Sequence, residues 1–141
     1  MGADGNWERL LEKAFEAREH AYVPYSQFRV GACILTTDGS YILGANIENA
    51  AYGSTNCAER SAVFSAYSQG YRKEEIKALA IVTEADRLTT PCGACRQVLS
   101  ELLQPDTPIV LSNRRETAVT TIARLLPDSF GSEDLQESKN F

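Results

Sequence analysis

The sequence predicts an α/β fold: a three-layer α/β/α arrangement around a mixed five-stranded sheet whose last two strands run antiparallel. Three observations predict it. Stretches with helical spacing alternate with short apolar or β-branched runs in the order α-β-β-α-β-α-β-β-α. Helical crossovers between buried strands give a partly parallel sheet with helices on both faces. Ala78-Leu79-Ala80-Ile81-Val82 is a continuous apolar run, as suits a central buried strand. The link Asn113-Arg114-Arg115-Glu116 is far shorter than the crossover a parallel pair needs, so the strands it joins are antiparallel.

The elements follow in order. Trp7, Leu10, Leu11, Ala14 and Phe15 fall on one helical face, which predicts an amphipathic helix from about Asn6 to Ala21, with Asn6 as N-cap and Pro24 barring extension beyond Val23. Phe28 to Thr36 and Tyr41 to Asn46 read as strands joined by the Thr37-Asp38-Gly39-Ser40 hairpin turn. Gly31, inside the first strand, marks a bulge or a close backbone approach. Glu48 to Asn56 is a polar loop. Cys57 opens a helix to about Gln69, with Gly70 past its end. A further helix starts near Gly93 or Ala94, with Val98, Leu99, Leu102 and Leu103 inward, and stops at Pro105. Pro108 to Asn113 and Thr117 to Thr121 are the last strands. Ile122 to Leu126 is a short helix ended by Pro127.

At 141 residues the chain is most simply one domain spanning 1–141, with about 1–5 and the polar stretch 132–141 frayed. Apolar residues make up 43%, close to the globular average. The formal charge is −5, the wrong sign for gripping a phosphate backbone, so a small substrate is expected and no nucleic acid. No apolar run approaches a membrane span, and the start lacks signal-peptide features, so a cytoplasmic protein with no membrane partner is expected. In that compartment the 4 cysteines are thiols or metal ligands rather than disulfides.

Cys92-x-x-Cys95 at a helix start can fill two corners of a tetrahedron, and Cys57, at another helix start, offers a third. A redox pair is the competing reading of Cys-x-x-Cys, and the third cysteine weighs against it. A closed structural zinc site would need a fourth ligand, for which only His20 and Cys33 remain. Neither has metal-like spacing. His20 reads as a surface residue at a helix end, and Cys33 as a small buried hydrophobe. An open, catalytic site is therefore expected. Glu59, in the first turn of the Cys57 helix, reads either as a complement to the helix dipole or as a carboxylate that takes protons from water acidified by zinc. Arg60 and Arg96 follow the two motifs directly and read as donors to thiolate sulfur or as solvated surface residues.

Cys57-Ala58-Glu59 followed by Pro91-Cys92-Gly93-Ala94-Cys95 resembles the cytidine deaminase family, whose zinc signature has this form. The resemblance runs from Tyr22-Val23-Pro24-Tyr25-Ser26 through Phe28-Arg29-Val30-Gly31-Ala32 and Asn46-Ile47-Glu48-Asn49-Ala50 to Phe130-Gly131. It is with the small, homotetrameric, three-cysteine members. Arg29 stands where many members carry proline.

The resemblance implies zinc-dependent hydrolytic deamination of cytidine and deoxycytidine to the uridine forms and ammonia, in pyrimidine salvage. It implies one Zn²⁺ on Cys57, Cys92 and Cys95, with Glu59 moving protons between water, the ring N3 and the leaving amine. Asn46 and Glu48 would hold the ribose hydroxyls, Phe28 would pack on the pyrimidine, and Ala58 would supply backbone contacts to the base. Tyr52 and Phe130 would complete a neighbouring subunit's pocket in a homotetramer. From the residues alone, Phe28 reads as a core aromatic and Asn46 as a strand cap. The competing readings are a deaminase for a related compound such as blasticidin S, a deaminase acting on nucleic acid, and a non-catalytic zinc module.

Overall fold

The computed structural model describes residues 6–138, with side chains through residue 135. The fraying expected of 1–5 and 139–141 lies outside the described residues. Helix α1 spans Glu8–Arg18, followed by strands β1 (Gly31–Thr36) and β2 (Tyr41–Ala45), helix α2 (Ala58–Ser68), β3 (Ile76–Val82), α3 (Gly93–Leu102), β4 (Ile109–Ser112), β5 (Thr117–Thr120), α4 (Ile122–Leu125) and α5 (Ser132–Ser138). The sheet order is β2-β1-β3-β4-β5. β3 and β4 are parallel across the α3 crossover, and β4–β5 is antiparallel, as the short link requires.

The alternation along β3 shows how the layers are built. Ala78, Ala80 and Val82 point to one face, where they meet Trp7, Leu10 and Ala14 of α1, with Cys33 and Val110. Leu79 and Ile81 point to the other, into a larger core formed by Ala62, Val63 and Ala66 of α2, Leu99 and Leu103 from the α3 region, and Ile122 of α4. Small residues face the single helix and large ones the three-helix side.

Two glycines on neighbouring strands set how closely the helices lie. A Cβ on Gly31 would collide with the Ala14 carbonyl oxygen and stand 2.7 Å from Arg18 N, so the close approach expected at Gly31 is real and its partner is α1. A Cβ on Gly44 would stand 2.5 Å from both Ala58 O and Ala62 N, on the opposite face. The sequence reading did not single out Gly44.

Several boundaries differ from expectation, each for a local reason. Asn6 is not the N-cap of α1: Trp7 occupies that position with no side-chain cap, and its carbonyl accepts from Leu11 N–H (2.9 Å). The helix ends at Arg18 rather than Ala21 because the chain tightens into 3₁₀-type turns, with His20 N–H on Ala17 O and Ala21 N–H on Arg18 O. β1 begins at Gly31 rather than Phe28 because the Asn46 side chain, not a neighbouring strand, binds Phe28 O and Val30 N–H. The polar segment from Ser132, expected to fray, carries α5.

Cys33 is fully buried on the α1 face, as expected of a small hydrophobe. Burial pushes its thiol up from 9.0 to about 12. A thiol that holds its proton more tightly when folded favours the native state below the unfolded value and loses that advantage as pH climbs toward the folded one. The unfolding midpoint of the native chain is therefore expected to fall more steeply between pH 9 and 11 than that of Cys33→Ala, when both are followed by circular dichroism. Parallel slopes would remove the effect. Gly44→Ala is expected to cost about 3 kcal/mol by overpacking, which lowers Tm by roughly 10 °C. Gly53→Ala, where a Cβ meets nothing within 4 Å, is the control expected to leave Tm unchanged.

Candidate metal centre and active-site cleft

Cys57 and Cys92 occupy the N-cap positions of α2 and α3, and Cys95 lies in the first turn of α3. Neither N-cap thiol bonds its own helix backbone, which leaves the sulfurs free. The Cys57 and Cys92 Sγ atoms are 4.0 Å apart, and all three sulfurs lie within 4.8 Å of one another. Zinc–sulfur bonds of about 2.3 Å at tetrahedral angles put sulfurs ~3.8 Å apart, so the set fits Zn²⁺. Among the described residues this is the one cluster of its kind. Cys33 faces the α1 side of the sheet and His20 is exposed after α1; neither joins the cluster. A closed site completed by either is thereby excluded.

The thiols are not equivalent. Cys57 is held below the usual thiol range, first by a hydrogen bond from Cys95 and then by Arg60, whose guanidinium donates to Cys57 Sγ (3.2 Å). Cys95 is pushed up by that same pairing and by burial. Both cysteine motifs sit at helix N-termini, where the backbone dipole favours thiolate.

Arg96 does not act on sulfur. Its donors go to Pro91 O (2.7 Å), Leu125 O (2.9 Å) and Thr90 Oγ1 (3.0 Å), tying the loop before Cys92 to α4. The reason is geometric. Arg60 sits one turn after Cys57 and reaches back to it, whereas Arg96, one residue past Cys95, points along the loop.

Glu59 is 5% exposed on the second residue of α2. Burial pushes its carboxyl above the usual range, and the nearby Cys57 charge adds to the rise. It lines a cavity of about 250 Å³ together with Cys57, Ala58 and Cys92 from the metal centre, Phe28, Asn46 and Glu48, and the apolar Val30 and Ile81. Residues far apart in sequence thus share one cleft. Asn46 and Glu48 flank Ile47, whose bridges to Tyr22 and Asn56 hold the segment extended. A wider groove of about 710 Å³ between α1 and β5 carries none of these side chains.

Glu48 accepts from Tyr25 N–H (3.0 Å), Ser26 N–H (3.1 Å) and the Ser26 hydroxyl. These bonds, the Ser26 hydroxyl foremost, hold its carboxyl below the usual range. A carboxylate has about four acceptor positions, so roughly one remains open. Asn46 keeps one N–H of its amide unspent after serving Phe28 O.

Tyr52 (79% exposed) and Phe130 (58% exposed) do not line this cavity. Tyr52 borders an adjacent concavity that shares Ser26, Glu48 and Thr55, and Phe130 O accepts from Gln97 Nε2 (2.9 Å). Sequence reasoning missed Ser26, Thr55, Asn56, Thr89 and Thr90 as lining residues. Nearness to Cys57 and Cys92 was an available signal for Thr55, Asn56, Thr89 and Thr90, and Ser26 lies in a stretch that carries the family resemblance.

Two helix N-termini that converge thiols on one point, with a carboxylate alongside, are what a zinc-dependent hydrolase asks of a fold, and that class is defined here. The family model described as "Cytidine and deoxycytidylate deaminase zinc-binding region" matches residues 5–111, and the chain belongs to that family. A curated cytidine deaminase of Halalkalibacterium halodurans is 51% identical over 131 residues, covering 92% of this chain and 98% of that one. The crystal structure of a cytidine deaminase from Burkholderia pseudomallei superposes with a TM-score of 0.86 at 50% identity, covering 89% of this chain and 99% of that one. That of a cytidine deaminase from Mycobacterium tuberculosis gives 0.75 at 40% identity, with 89% and 98% covered. Among the described residues no helix is long and apolar enough to cross a membrane.

Zinc content by elemental analysis is expected to be retained in His20→Ala and lost in Cys92→Ser. Arg60→Met, which removes the donor to Cys57 but keeps an unbranched apolar stem, is expected to weaken zinc binding by about tenfold or more in competition with a coloured chelator. Affinity equal to the native chain would show that the guanidinium does not serve the sulfur.

Proposed function

We propose that this chain hydrolyses cytidine and deoxycytidine to uridine and deoxyuridine with release of ammonia, in the cytosol. The observation that carries the reading is the buried Glu59 carboxylate beside three converging thiols, in a cleft that Asn46 and Glu48 also line. The names of the relatives support it. So does the size of the cleft, which suits a nucleoside better than a polymer.

Cys57, Cys92 and Cys95 would hold Zn²⁺, which would supply the Lewis acidity that makes water nucleophilic at neutral pH. Glu59 takes the proton released as the water oxygen bonds to C4 and gives it to ring N3. It then moves a second proton to the exocyclic amine. The C4–N bond breaks, ammonia leaves, and C4 becomes the carbonyl of uridine. Its position on a helix, one residue from Ala58 and two from Cys57, keeps the carboxylate within reach of each proton without its being a ligand. Burial excludes bulk water that would intercept the proton.

In the same cleft, the unspent amide hydrogen of Asn46 donates to a sugar hydroxyl, and the open acceptor position of Glu48 receives one. Phe28 packs on the pyrimidine and the Ala58 backbone meets the base edge. Tyr52 and Phe130, exposed in the single chain, reach a neighbouring subunit's pocket in a homotetramer.

Glu59→Gln is expected to keep about one zinc per chain and lose at least ~10³-fold in kcat for cytidine, followed as the absorbance change on conversion to uridine. Substantial turnover in that variant would rule Glu59 out as the proton carrier.

A further inference from the structure

Phe28 lines the cavity yet is 44% exposed, so packing alone does not fix its ring. Its backbone is held instead. Phe28 N–H donates to Ser26 Oγ (3.0 Å), and Phe28 O accepts from Asn46 Nδ2 (2.8 Å). Gln27, between them, has φ 61°, a left-handed conformation that a non-glycine residue keeps only when its surroundings over-determine it.

The Ser26 hydroxyl has one proton, and it gives that proton to Glu48. The same oxygen accepts from Phe28. One hydroxyl therefore stands in line between the Glu48 carboxylate and the Phe28 amide. The second Glu48 oxygen is anchored on Tyr25 N–H and Ser26 N–H. A shift of the carboxylate is thus felt at both ends of the Tyr25–Phe28 turn.

We propose that Ser26 is a positioning residue that couples the sugar-facing carboxylate of Glu48 to the ring of Phe28, so that engaging the sugar and seating the base are one event. This rests on the reading that Glu48 and Phe28 face a nucleoside. The hydrogen bonds of Ser26 go to Glu48 and Phe28 and not to a zinc ligand or Glu59, so its loss acts on binding rather than on chemistry. It acts through Phe28, so its effect needs the phenyl ring to be there.

The test is steady-state kinetics on cytidine with zinc content and Tm measured in parallel, for the native chain, Ser26→Ala, Ser26→Thr, Phe28→Ala and the Ser26→Ala/Phe28→Ala double variant. Ser26→Ala is expected to raise KM about tenfold with kcat within about threefold and zinc at one per chain. Ser26→Thr, which keeps the hydroxyl, is expected to restore KM to within about threefold. In the Phe28→Ala background the Ser26→Ala effect is expected to shrink below about twofold, as coupled residues require. If Ser26→Ala does not fold, Ser26→Cys, isosteric with a weak donor, is expected to give the same rise in KM. A KM within about twofold of native, the same factor with and without Phe28, or a loss that follows zinc or kcat would overturn the coupling. A native chain inert on cytidine would sink the functional reading and the coupling together; an active native chain with additive effects would sink the coupling alone.

Discussion

The closeness of α2 to β2 governs the rest of the molecule. Gly44 leaves room for the Ala58 carbonyl and the Ala62 amide to lie where a Cβ would otherwise stand. Ala58 is the residue between Cys57 and Glu59. The contact that seats the helix on the sheet is therefore made at the segment that carries a zinc ligand and a carboxylate. A helix pushed outward by a methyl group would carry Cys57 away from Cys92 and Cys95, which α3 holds independently. Packing density here is what turns two distant cysteine motifs into one site.

The second constraint is charge. Three thiolates on one divalent ion leave an excess negative charge in a partly buried place. The Arg60 guanidinium on Cys57 Sγ and two helix N-termini offset it, which keeps the metal a useful Lewis acid. Arg96 spends its donors on holding the Cys92 loop, so the two arginines divide the work: one tunes a sulfur, the other fixes where a sulfur is.

The layers of the sheet were legible in the sequence because period and link length are local properties. The apolar run of β3 and the short β4–β5 link each carry their own answer. The metal set was legible because thiols at helix starts are rare and chemically specific. What escaped was non-local. Nothing beside Gly44 announces that Ala58 lies against it. The late start of β1 was hidden because Asn46 supplies a side-chain substitute for strand pairing, which no periodicity registers. Arg96 was misjudged because adjacency to a motif says nothing about where a long side chain turns. Ser26 carries no chemistry of its own, and its place is visible only once Glu48 and Phe28 are seen on either side of it.

Cys33 gives the molecule a property unconnected with turnover. Of the 4 thiols, this one is sealed on the far side of the sheet and keeps its proton across the working pH range. A thiol-reactive dye can meet it only when α1 lifts from the sheet. The other three lie at the metal. The chain thus carries two separate clocks in a single reagent: one that starts when the ion departs, and a slower one that starts when the α1 layer opens.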